Sequence, residues 1–185
     1  LDFALKACPV ILPDVPITAL YLQKGPELSN AARTLVEHTA SLDITGTLEI
    51  ALNLVPGVKR VYVVSGVHEV DRQIEEQARR DLKKWETRLE FHYLSHMPFE
   101  DMAATLSTVP LNSIILVLVL SQDVAGMNFT SVAVAERLGR VSGAPIFGLL
   151  DATLGHGDAG GSLINFEHIG AQAGQMVLNI LSSTQ

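Results

Sequence analysis

The side chains able to do chemistry in this chain stand just after its apolar runs. Ser65 and Gly66 follow Val61–Val64, and Ser95 and His96 follow Leu89–Leu94. Ser121, Gln122 and Asp123 follow Ile114–Leu120, and Asp151 follows Pro145–Leu150. Hydroxyls, an amide and carboxylates suit a small polar or zwitterionic ligand held by hydrogen bonds. Each also suits capping of the next helix or turn, so it is their grouping that makes these positions the best candidates. A second constellation is the loop Leu154 to Gly161, which holds His156 and four glycines within eight residues. Glycines permit positive φ and close backbone approach, so such a loop can cradle an anion. No lysine follows it in P-loop fashion, and it precedes a strand-like segment rather than a helix. A tightly turned segment lining a cleft is the stronger reading.

Catalytic signatures are weak. A hydrolase triad would draw Ser65 or Ser121 together with His156 and Asp151, but no glycine stands two residues before Ser65 as a nucleophile elbow requires. Asp123 and Asp151 lack the paired acids and the lysine of a phospho-acceptor receiver. The six histidines, at 38, 68, 92, 96, 156 and 168, form no HExxH pair, so no metal site is expected. The single cysteine, Cys8, excludes an internal disulfide and reads as a small buried apolar residue. No cofactor is expected, and the chain reads as a binding module rather than an enzyme.

The elements that must position these residues alternate from about Arg60 onward. Strands are expected at 61–64, 89–94, 113–120, 145–150 and, short, at 161–165. The run 113–120 does not alternate, as a strand buried on both faces would not. Helices fall between them: one from Asp71, as its cap, with Ile74, Ala78, Leu82 and Trp85 on one face; one opened by Pro98 with Phe99, Met102 and Leu106; one with Val134, Leu138 and Val141 ended by Ser142-Gly143. The last starts near Glu167. The basic cluster Arg79, Arg80, Lys83 and Lys84 reads as a solvated face. This is an α/β pattern with an open parallel sheet of about five strands and helices on both faces. Ligands of such sheets bind beyond the strand carboxyl ends, where strand order reverses.

Upstream, Leu1 to Ala7 reads as a helix end, Ile17 to Leu22 as a strand, and 31–39 and 43–54 as helices. Residues 1–42 thus read as the closing segment of a truncated first lobe, and 43–185 as a complete second lobe. Composition agrees: 48% hydrophobic residues but only 5% aromatic, and 18% charged, describe a folded chain rather than a disordered one. A net charge of -7 argues against a nucleic-acid partner. The longest apolar run, seven residues from Ile114 to Leu120, is far short of the about 20 that a membrane-crossing helix needs.

Four stretches carry a resemblance. They are TLEIALNLVP at 47–56, VYVVSG at 61–66 with Asp71, PIFGLLD at 145–151, and LGHG at 154–157 leading into Gly160-Gly161 and Phe166-Glu167-x-x-Gly170. In these the chain resembles the ABC-transporter substrate-binding-protein-like family with the type I periplasmic binding fold. It is most similar to the variant that forms the extracytoplasmic sensor region of bacterial histidine kinases. The resemblance implies two α/β lobes closing on a small solute, amino-acid-like or of an unrelated class, on the periplasmic side of the inner membrane. It implies a histidine kinase or an ABC permease as downstream partner, and a first lobe opposite this one. By position, Ser65, Gly66, Ser121, Gln122, Asp123, Asp151 and His156 would face the cleft. Two other readings stay open. One is a Rossmann-like enzyme acting on a nucleotide or sugar phosphate at the strand ends, and the other is a homodimerisation module pairing through the apolar front segment.

Overall fold

A computed structural model describes residues 17–21, 35–39 and 41–183. The chain divides into two compact units, one of residues 43–164 and one of residues 1–42 with 165–185.

The larger unit is built on four parallel strands: β3 Arg60–Val64, β4 Glu90–Tyr93, β5 Ser113–Val117 and β6 Ile146–Phe147. Their order is β4-β3-β5-β6, with Val61 beside both Phe91 and Ile114, and Leu116 beside Phe147. The chain first steps outward from β3 to β4, then returns to the other side of β3. Strand order therefore reverses between β3 and β5. Crossovers are helical, as parallel pairing requires: α1 Ile44–Leu54 before β3, then α2 Glu69–Asp81, α3 Phe99–Ser107 and α4 Ser131–Val141.

One helix pair covers each face of the sheet. Helices α3 and α4 pack together over a core of Val64, Ile115 and Ile146 from the strands and Phe99, Met102, Leu106, Val134 and Leu138 from the helices. By the two-residue period, Val61, Val63, Ile114 and Leu116 point the opposite way. They are also buried, as are Ile44, Leu48, Ala51, Ile74 and Ala78 of the paired α1 and α2. Each such Val, Leu or Ile side chain contributes about 1.5–3 kcal/mol on leaving water. Burial on both faces explains why the 113–120 run does not alternate.

Helix starts follow local chemistry. The Asp43 side chain caps α1 by accepting from Gly46 N–H at 2.9 Å, and Thr130 caps α4 through Ala133 N–H at 3.3 Å. Pro98 precedes α3, as its sequence position predicts. The start of α1 is also tied to a distant segment: Ser162 Oγ donates to Asp43 Oδ2 at 2.8 Å, and Ser162 N–H donates to Thr47 Oγ1 at 2.9 Å.

Three expectations need correction. The strand expected at 161–165 is not a regular strand, so the sheet has four strands where about five were expected. The segment runs beside β6 through isolated bridges only, Phe147 with Gly160 and Leu150 with Ile164. Gly160, with φ at 140°, takes a conformation that does not continue a strand. The helix expected at 31–39 is, over its described part, the strand β2 Leu35–Thr39. It is paired in parallel with β1 Ile17–Tyr21, so strand pairing overrode a loosely helical spacing. Asp71 does not cap α2; that helix begins two residues earlier with His68 at the cap, and Asp71 lies inside its first turn.

In the smaller unit, α5 Phe166–Ser183 packs beside β1 of the β1–β2 pair. Asn165 Oδ1 accepts from His168 N–H at 2.6 Å at the start of this helix. The expectations for Leu1–Ala7 and Cys8 fall outside the described residues.

Candidate functional site

The strand-order reversal places the carboxyl ends of β3 and β5 side by side, and the polar residues after those strands meet there. Asp71, fully buried, is the hub. Its Oδ1 accepts from Ser121 Oγ at 2.8 Å, and its Oδ2 from Ser121 N–H at 2.9 Å and Gln122 N–H at 3.3 Å. Ser65, also fully buried, shares its hydroxyl hydrogen between the carbonyls of Asp71 and Val119, each 3.2 Å away. Gly66 N–H donates to Val119 O and Val67 N–H to Gln122 O, which continues the join beyond the last strand pair. Gly66 must be glycine here: a Cβ would stand 2.1 Å from Asp71 Oδ2 and 2.6 Å from the Gln122 carbonyl. The whole junction is therefore a rigid floor held by one carboxylate.

Asp123 builds the rim next to it. Its Oδ2 accepts from Phe99 N–H, the first residue of α3, at 2.9 Å, and its Oδ1 from Met127 and Ala125 N–H at 2.9 and 3.0 Å. Burial by itself would raise this carboxyl, but the backbone donors of Phe99, Met127 and Ala125 outweigh it and hold Asp123 below the ordinary aspartate range. A negative charge at the start of α3 also complements the helix dipole. The loop it folds presents Val124 and Met127, both exposed. Gln122 adds a side-chain bond, Nε2 to Asn128 Oδ1 at 3.1 Å.

Between this rim and the start of α2 lies an open polar depression of about 590 Å³. It is lined by Val67, His68, Glu69, Arg72, Gln73, Glu76 and Gln122. Of the residues singled out in the sequence, Gln122 faces this space, whereas Ser65 and Ser121 form its foundation together with Gly66. Asp151 opens a short 3₁₀ turn, Asp151–Thr153, after β6. His156 lies in the glycine loop, where its Nδ1 is 2.9 Å from Glu136 Oε1 on α4. The structure thus gathers the residues after β3 and β5 in one place and sets Asp151 and His156 apart, on the β6 side. Sequence reasoning did not single out Arg72, Gln73 or Glu76. Their only signal was their position in the first two turns after the β3 end.

Among the described residues, no three or more His, Cys, Asp or Glu side chains stand close enough to hold a metal ion. Nor is any described helix long and apolar enough to cross a membrane. The chain matches no known family model, no curated protein and no solved structure. What stands is the architecture: an open parallel α/β sheet with helices on both faces and polar groups gathered at its order reversal.

Proposed function

We propose that this chain supplies a half-site for a small zwitterionic solute, as a binding lobe in extracytoplasmic sensing or uptake. One observation carries the reading: the depression at the order reversal brings Arg72 together with Glu69 and Glu76, and with the amides of Gln73 and Gln122. Both charge signs and neutral hydrogen-bonding groups around one open space suit a ligand that carries an ammonium and a carboxylate. The floor beneath it is already fully hydrogen-bonded, so ordering it costs nothing at the moment of binding. An amino acid is the solute class this favours. A second lobe closing over the open side would bury the ligand, and lobe closure would pass to a histidine kinase or an ABC-type permease. This last step rests on the motif resemblance at 47–56, 61–66, 145–151 and 154–170.

Calorimetry of the chain against the proteinogenic amino acids tests the reading. Saturable binding to one or a few of them is expected, weakened about tenfold or more by Arg72→Glu with the fold intact. Failure of every zwitterion tested to bind, or binding indifferent to Arg72→Glu, defeats it.

A further inference from the structure

The glycine loop that the binding reading leaves unused holds a carboxyl group in an unusual position. Asp158 lies within the loop 154–161, whose chain runs along β6: Ala159 N–H donates to Ile146 O at 2.7 Å, and Gly148 N–H to Gly160 O at 3.1 Å. Gly157, with φ at 128°, passes so close to α4 that a Cβ would stand 2.5 Å from the Ala135 carbonyl. Asp158 Oδ2 approaches Thr153 Oγ1 at 2.5 Å, and Thr153 Oγ1 is also 2.8 Å from Leu150 O. A threonine hydroxyl has one hydrogen. With Asp158 ionised, its Oδ2 and the Leu150 carbonyl compete for that one hydrogen; with Asp158 protonated, Thr153 donates to Leu150 O and accepts from Asp158, so both short contacts are hydrogen bonds at once. The other oxygen, Oδ1, is buried and meets no donor among the described residues. The side chain borders a cavity of about 10 Å³, room for one water at most, walled mainly by aliphatic residues such as Val134, Leu149 and Leu150.

We propose that Asp158 is a proton-held latch: as a neutral acid it donates to Thr153 and fastens the loop along β6, and losing that proton loosens the loop. Burial pushes the Asp158 carboxyl above the ordinary aspartate range and outweighs the Thr153 hydroxyl, which lowers it when it donates to the ionised group. Charged groups on the surrounding elements do not supply an alternative. Strands β5 and β6 carry none. On α4, Glu136 faces His156 of the loop, Arg137 pairs with Glu100, and Arg140 lies in the last turn. Asp151 stands on the 3₁₀ turn that precedes the loop.

The sign follows from proton linkage. The closed loop binds the proton more tightly than the open one, so closure is strongest below the open-state value of about 3.9. It weakens as pH rises through the closed-state value and is constant above it. Between the two, the opening equilibrium rises about tenfold per pH unit, since one proton is released per opening.

The test is carbon-13 NMR of the Asp158 carboxyl in the whole chain, with exchange of the Ala159 amide measured across the same pH range and divided by its intrinsic rate. The expected result is a carboxyl that titrates above about 3.9, with Ala159 opening on the same curve. Asp158→Asn, a permanently neutral near-isostere, is expected to hold the loop closed and to flatten the curve. A carboxyl ionising at or below the ordinary value overturns the latch, as does Ala159 opening that ignores pH or an Asp158→Asn chain that keeps the wild-type slope. The carboxyl titration needs no variant, so a failure of the substituted chain to fold leaves the test standing. The proposal does not depend on solute binding.

Discussion

Two regions of the same sheet end bury carboxyl groups in opposite ways. After β3 and β5, Asp71 and Asp123 each accept three hydrogen bonds, mostly from backbone N–H groups. After β6, Asp158 has among the described residues a single close partner, a hydroxyl whose one hydrogen also serves the Leu150 carbonyl, and one buried oxygen that no donor meets. At Asp123 the backbone donors stabilise the charge, and at both positions they make the carboxyl a structural tie. Donor-poor surroundings favour the neutral acid and make the group sensitive to protons. The position of a carboxyl along the chain is thus less informative than the number of N–H groups aimed at it.

The largest break in this contrast is Asp71→Ala, which strands Ser121 N–H, Ser121 Oγ and Gln122 N–H inside the protein. Urea denaturation is expected to show a loss of about 3–5 kcal/mol, and Asp71→Asn a smaller one, since one of its side-chain atoms still accepts. Next comes Gly66→Ala, whose new methyl would collide with the Asp71 carboxylate and the Gln122 backbone. About 3 kcal/mol of destabilisation is expected by the same measurement. Asp123→Ala follows at about 2 kcal/mol, the upper range for a lost helix cap. Asp123 also predicts a pH dependence. Its folded value is depressed, so the stability it contributes is present above about pH 3.9 and is lost as pH falls through the folded value. Asp123→Asn should therefore flatten the acid limb of a stability–pH curve. The smallest effect sharpens the comparison from the other side: Asp158→Asn is expected to gain about 1 kcal/mol at neutral pH, where the equivalent change at Asp71 or Asp123 loses stability. Equal signs at all three positions would erase the distinction.

Much of this architecture is legible in local patterns. The unbroken run Ile114–Leu120 announces a doubly buried strand, and the apolar spacing of Phe99, Met102 and Leu106 announces the face of α3. Pro98 and Ser142-Gly143 mark helix ends within a residue or two of where α3 starts and α4 stops. Failures arise where distant segments decide. Leu35–Thr39 is a strand because Ile17–Tyr21 lies beside it, and nothing within nine residues of spacing encodes that partner. Asp71 reads locally as a cap, but its bonds run to residues about fifty positions away. The grouping of Ser65 with Ser121 was visible from the strand-end rule. That both are engaged in the foundation, with Arg72 and Gln122 left to face the depression, depends on three-dimensional placement.

The bonds joining Asp43 and Thr47 to Ser162 bear on modularity. They bring the first and last turns of the 43–164 unit within reach of one side chain, so this unit starts and finishes at one spot on its own surface. A polypeptide with that property can be excised, or spliced into a loop of an unrelated carrier, with little stretching of the host. Residues 43–164 expressed alone should fold cooperatively, and a short Gly-Ser bridge between their ends should permit circular permutation with new termini in the exposed turn at Gly57.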